Sequence, residues 1–513
     1  MEWSEWALTL AVFLPAVGAV IVMLIPRAQE ELIKWVTLLT TVATLGIVLA
    51  ILFDFDYDRT HDLQFAINND WIDVINSRYH LGVDGISLPL LALSAFITLL
   101  CVIYSWNHFP EPHNPKAFLA LMLILEVGMN GTFVAQDLIL FFVFFEIVLL
   151  PMFFMIGVWG GPNRQYASIK FFLFTLFGSA IMLLGFLALY FQVDAPGGST
   201  FDMVRLTEAA GAGMTHNVQL LVFGALFLGF AIKVPMFPFH TWLPDAHTEA
   251  PTVGSVLLAA ILLKLGTYGF IRIAMPILPD AAKSWAPWIG LLAVIGIIYG
   301  ALGCLAQTDM KRLIAFSSVA HMGFVMLAIA SLTDAGFNAA VFGMVAHGLI
   351  TGMLFFLAGS VQHNFDTREL SRLGGLLTQA PKMGWILGFC AMASLGLPGL
   401  AGFWGEFPAL FSVFDPGMGM SEAVFRTFMV IGAVGTVLAA GYLLWMLQKV
   451  AFGTPKPEFA HAHIHDVNAF EWTAWLPILL LIVALGIYPN MLFRVTDGAA
   501  TNIINGMSQA IGG

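Results

Sequence analysis

Apolar runs long enough to cross a bilayer, about 20 residues each, recur along nearly the whole chain. They predict fourteen membrane helices, at roughly 4–25, 33–53, 86–106, 117–135, 138–158, 167–191, 218–239, 252–271, 286–306, 312–332, 337–360, 383–413, 425–451 and 472–493. Most connections are short. The exceptions are Asp54–Gly85, acid-rich and expected to carry structure of its own, Gln192–His216, and the loops around Arg368 and His463. None is long enough for a soluble cofactor-binding domain. Two runs are interrupted: VPMFPFHTWLP places Pro235 and Pro238 in the seventh, and SLGLPGLAGFWGEF places Pro398 and several glycines in the twelfth. Proline removes a backbone donor and breaks the helical ladder. Such breaks at membrane depth are tolerated where they line a cavity, as in transporters.

The breaks suggest a repeat. If residues 117–272 (helices 4–8) form one unit and 286–452 (helices 9–13) a second, the broken helices are the fourth members of each. An odd number of helices per unit makes the second inverted in the membrane. Residues 1–116 then hold helices 1–3 and the acidic loop, and 472–513 the last helix and a tail. The expected fold is an all-α polytopic membrane protein with two inverted five-helix repeats.

Composition agrees: 59% of residues are hydrophobic, 10% are charged and mean hydropathy is +0.87, which excludes a soluble domain. The net charge of −11 comes with no basic stretch, so nucleic acid is not an expected partner, whereas membrane lipid is. Cys101, Cys304 and Cys390 lie in separate apolar runs without C-x-x-C spacing and read as buried small hydrophobes rather than ligands of iron–sulfur or zinc. Acidic Glu2 and Glu5 precede the first run, which therefore reads as a membrane helix and not a cleaved leader. Loops after odd-numbered helices hold twelve Lys and Arg against seven after even ones. The positive-inside rule then puts both termini on the non-cytoplasmic side, in the setting of a bacterial inner membrane.

Few charges remain inside the runs: Glu126, Glu146, Lys233, Lys264 and Glu406, with the titratable His321 and His347. A lysine near the bilayer centre costs about 2.5–3.5 kcal/mol on insertion scales, and such groups usually form proton or ion relays. Glu146 is either a neutral core carboxyl or the partner of a lysine, and Glu126 either a core residue or a helper of Glu146. Lys233 adjoins a break, while Lys264 is too deep to snorkel. A histidine in an apolar helix is often a satisfied core residue, but His321 and His347 between a buried lysine and Glu406 are candidate proton carriers. His240 could do the same at the broken helix. His247 reads as a loop residue, and His461, His463 and His465 as a solvated loop rather than a metal site.

The segments FAIKVPMFPFHTWLPDAHTEAPTVGSVLLAAILLKLGTYGFIR, QTDMKRLIAFSSVAHMGFVMLAIA, VAHGLITGMLFFLAGSV and LPGLAGFWGEF closely resemble the antiporter-like membrane subunits of respiratory complex I and of Mrp-type cation/proton antiporters. Length and the glutamate at 406 favour the M-type, ND4-like branch of complex I. The resemblance implies that Glu146 pairs with Lys233, that Lys264 links two half-channels, and that His321 and His347 lead to Glu406 as the exit. It also implies neighbouring antiporter-like subunits of the membrane arm as partners. NADH, FMN, iron–sulfur clusters and quinone would sit in partner subunits, since this chain shows no nucleotide loop or cysteine cluster. The rivals are a Na⁺(K⁺)/H⁺ antiporter subunit and a structural scaffold with vestigial charges.

Overall fold

A computed structural model describes residues 3–460, 462 and 464–512; His461 and His463 of the histidine loop fall outside the described residues. The fold is 74% helical, and among the described residues thirteen helices are long and apolar enough to cross a membrane. These are α1 (Ala7–Leu24), α2 (Glu30–Asp54), α3 (Ser87–Ser105), α4 (Pro115–Val134), α5 (Leu138–Trp159), α6 (Arg164–Gln192), α7 (His216–Lys233), α8 (Thr252–Ile277), α9 (Pro279–Leu305), α10 (Met310–Ala330), α11 (Asp334–Phe365), α13 (Glu422–Val450) and α14 (Ala469–Ile487). The remaining expected traverse, α12, is split into Pro381–Ser394 and Ala401–Ser412, each too short to span alone.

Successive connections meet at alternate ends of the bundle. At one end the start of α2 meets the loop after α3 through Glu30 Oε2 and His113 Nε2 at 3.0 Å, and the loop after α9 meets that after α11 through Asp309 and Arg368 at 3.1 Å. At the other end the loop after α2 meets those after α4 and α6 through Ser77–Asp137 (2.9 Å) and His80–Asp202 (2.6 Å). We call these the odd and even ends. Broken helices α7 and α12 therefore run in opposite directions.

The seventh helix stops at Lys233, short of the 239 expected. The chain resumes as a short helix, Trp242–Glu249, at the odd end, because the prolines in VPMFPF cannot continue the ladder. In α8, π turns at Leu258–Leu262 and Phe270–Ala274 flank Lys264 and carry the helix to Ile277. An interruption not anticipated from the pattern falls at Val148 in α5, two residues beyond Glu146.

The acidic connection folds as a hairpin of β1 (Gln64–Ile72) and β2 (Ser77–Val83), antiparallel with Gln64 opposite Val83 and Asn69 opposite Tyr79. Its turn uses Asn76 at φ +49, a left-handed position that asparagine tolerates. His80 latches the hairpin to Asp202. Burial works against that carboxylate, but the His80 and Arg205 N–H hydrogen bonds outweigh it and hold Asp202 below its ordinary range. The segment expected as a tail is a helix, α15 (Asn490–Gly512), packed along α9 and α11.

The most enclosed spans are α11, α8 and α10, with 100%, 94% and 94% of their core windows buried. They carry His347, Lys264 and His321. Close approach of α7 to α8 rests on two glycines. A Cβ at Gly266 would lie 2.8 Å from the Phe230 carbonyl oxygen, and one at Gly269 2.2 Å from the Phe230 ring. Gly269→Val is expected to destabilise the fold by about 1–3 kcal/mol, the scale of core overpacking. A lower melting temperature of the purified protein in detergent checks this.

Candidate functional site

Two clusters of ionisable groups lie within the spans. In the first, Glu146 sits half-buried just before the α5 interruption, facing Ser179 of α6 and Lys233. Lys233, only 2% exposed, ends α7, and its Nζ lies 4.6 Å from the centre of the Phe145 ring. Glu146 and Lys233 are within electrostatic reach but make no direct ion pair. The aromatic face takes the ammonium instead, a contact worth about 0.5–2 kcal/mol. This separation matters chemically, since a tight buried pair would hold its charges fixed.

The second cluster is continuous. Lys264 Nζ lies 2.7 Å from His347 Nδ1 and also donates to the Ala259 carbonyl within the first π turn. The His347 and His321 rings are 6.0 Å apart between centroids. His321 Nδ1 lies 2.6 Å from Glu406 Oε1, and its Nε2 meets Ser394 Oγ at 3.1 Å and Tyr442 OH at 3.2 Å. Between them is a cavity of about 30 Å³, lined by His321, His347, Ser394 and Glu406, which is room for about two waters. His347 Nε2 and Glu406 Oε2 have no protein partner, so water can complete the chain there.

Backbone interruptions place these groups. Gly396 (φ +82) and Gly399 (φ +95) turn the chain between the halves of α12, and Gly405 packs directly on Gly343 of α11, where a Cβ would lie 2.7 Å from its Cα. Bulkier residues would push Glu406 away from His321.

Lys233 and Lys264 share no hydrogen bond, so the two clusters are separate in protein contacts. His240 is buried with its Nδ1 unpartnered, against Phe237 and Tyr299 at 5.7 and 4.9 Å, and joins neither cluster directly. Glu126 is fully buried, with neither carboxylate oxygen hydrogen-bonded.

One residue is corrected outright. His247 is not in a loop: it lies in the short helix after the α7 break, is 0% exposed, and stacks on Phe355 of α11 at 4.4 Å. Lys311 and Lys264 lie within its electrostatic reach. The reseating of the chain as a short helix after the break buries it.

Opposed broken helices and a line of titratable groups through the most enclosed spans define an ion-translocating membrane subunit of the inverted-repeat type. The pattern of the family "NADH:quinone oxidoreductase/Mrp antiporter, TM" covers residues 135–439, and that of "NADH-ubiquinone oxidoreductase chain 4, amino terminus" covers 16–130. NADH-quinone oxidoreductase subunit M of Rhodobacter capsulatus is 38% identical over 514 residues, covering 98% of both chains. Its counterpart in Rickettsia bellii is 37% identical over 505 residues, covering 97% of this chain and 98% of the other. A chain of respiratory complex I from Thermus thermophilus superposes with a TM-score of 0.85 at 28% identity, over 98% of this chain and 99% of that one. A chain of the Mrp complex from Dietzia shares the fold, with a TM-score of 0.83 at 20% identity over the full length of both. The chain belongs to the NADH:quinone oxidoreductase/Mrp antiporter family of membrane subunits.

Proposed function

We propose that this chain is the M-type proton-translocating subunit in the membrane arm of an NADH:quinone oxidoreductase, working beside other antiporter-like subunits. NADH, FMN, iron–sulfur clusters and quinone belong to its partners, whose redox chemistry drives it. The observation that carries the reading is the contact chain Lys264–His347–His321–Glu406 across the most enclosed helices. A scaffold gains nothing from four such groups, each costly to bury.

Residues 117–272 and 286–452 act as inverted half-channels, with the odd end cytoplasmic and both termini on the opposite side. Charged Glu146 stabilises the Lys233 ammonium. When a conformational event draws the carboxylate away, the ammonium loses its counter-charge and gives up its proton toward Lys264. The proton then passes from the Lys264 amine to His347 Nδ1, on to His321, and from His321 Nδ1 to Glu406, which faces the even end. The missing hydrogen bond between the lysines serves as the gate, since a permanent wire would leak at about 2.3 kcal/mol per charge per 100 mV.

Purification of the native assembly tests the assignment. Flavin, iron–sulfur proteins and NADH oxidation should copurify with the chain. An assembly free of all three that exchanges Na⁺ or K⁺ for H⁺ would place it among the antiporters instead.

A further inference from the structure

The short helix Trp242–Glu249, where the chain resumes after the α7 break, is gripped at the odd end from both halves of the molecule. Its Asp245 carboxylate stands between two cations far apart in sequence. Oδ2 accepts from Lys170 Nζ of α6 at 2.7 Å, and Oδ1 lies 3.4 Å from Arg312 Nη2 of α10. The Lys170 and Asp245 side chains are only 20% and 18% exposed, so water screens their contact less than it would a surface pair.

Backbone groups fasten the same helix on both sides. Towards α6, the Glu249 carboxylate accepts the Asn163 N–H at 2.9 Å and the Glu249 carbonyl accepts the Gly161 N–H at 2.9 Å. Towards α10 and the loop after α11, Lys311 donates to the Ala250 carbonyl, and Arg368 donates to that of Thr248 at 2.6 Å. The start of the helix reaches the Lys233 site. Trp242, 1% exposed, lies 5.4 Å from the Phe171 ring of α6, and its Nε1 donates to the Ile232 carbonyl at 2.9 Å. That carbonyl lies in the last turn of α7, where the break removes helical donors, and it immediately precedes Lys233.

We infer that Asp245 is a positioning residue that couples the two half-channels: held by one cation from each half, it ties the Lys233 end of α7 to α10. The inference rests on the relay proposed above and deepens it. α10 carries His321 about two and a half turns beyond Arg312. A displacement of Lys233 as Glu146 withdraws therefore reaches the second cluster through Trp242, the short helix and Arg312, although Lys233 and Lys264 share no hydrogen bond. The link requires charge. A carboxylate offers an oxygen to each cation, whereas an amide in its place offers one oxygen and a donor group that faces the other cation.

The test uses the assembled complex in inverted membrane vesicles and reads NADH-driven proton uptake. Asp245→Asn, which keeps the shape and removes the charge, is expected to lower uptake by about threefold or more, the effect of a displaced group, and Asp245→Glu to keep more than about half of it. Added to Glu146→Ala, Asp245→Asn should cause no further loss, because both act through Lys233. A structural brace would multiply the two losses. Wild-type uptake in Asp245→Asn, equal loss in the Asn and Glu variants, or multiplied losses in the double variant overturns the inference. Should Asp245→Asn not assemble, Lys170→Gln and Arg312→Gln carry the same decision: each should lower uptake by about twofold or more, with no further loss beside Glu146→Ala. Glu146→Ala with wild-type uptake would remove the relay itself, whereas a deficient Glu146→Ala beside an unaffected Asp245→Asn removes only the coupling.

Discussion

Glu146→Ala is expected to lower coupled NADH:quinone turnover of the assembled complex by about tenfold, the effect of some 1.4 kcal/mol on a limiting barrier, while reduction of an artificial acceptor by NADH stays normal. The reason is specific to this site. Lys233 is 2% exposed and its ammonium has a ring face but no ion pair, so Glu146 is the anion within reach that makes its charge tolerable. Removing one member of a buried pair leaves the other uncompensated. Without the carboxylate the lysine cannot be switched between two charge states, and the step that pushes on Lys264 is lost. Glu146→Asp, which keeps the charge on a shorter arm, should retain part of the activity. Full turnover in the alanine variant would mean that the carboxylate is only core filling.

Lys264→Ala is the second large effect. It removes the one basic group in contact with His347 Nδ1, at 2.7 Å, and the point where both halves of the molecule meet. Turnover and pumping should fall together, again by about tenfold, and the small cavity beside His321 should be unaffected. His347→Ala should resemble it more closely than Glu126→Ala does, because neither Glu126 oxygen hydrogen-bonds a member of the relay. If Glu126→Ala were as damaging as Lys264→Ala, the path would run through α4 instead.

Much of this arrangement was legible before any coordinates. Hydrophobic run length located the spans, because a bilayer imposes one length on all of them. The cost of burying charge singled out Glu146, Lys233, Lys264 and Glu406. Proline and glycine marked the breaks in α7 and α12, although the pattern ran α7 on to 239 and missed its end at Lys233. The interruption of α5 at Val148 and the π turns around Lys264 arise from tertiary packing and leave no periodic trace. His247 was read as a loop residue, and nothing local in the sequence shows its burial. What buries it is the short helix held by Asp245, which pairs with Lys170 of α6 at 2.7 Å and Arg312 of α10 at 3.4 Å. Those partners are far away in sequence. The helix α15 was likewise hidden, since its apolar face is too narrow to register as a span.

The relay is tested most directly by counting protons moved per NADH oxidised in proteoliposomes holding the assembled complex, with Glu146 or Lys264 alone replaced by alanine. The account predicts that pumping and turnover fall together in either variant, by about tenfold. A wild-type proton count at wild-type turnover in both variants would contradict it.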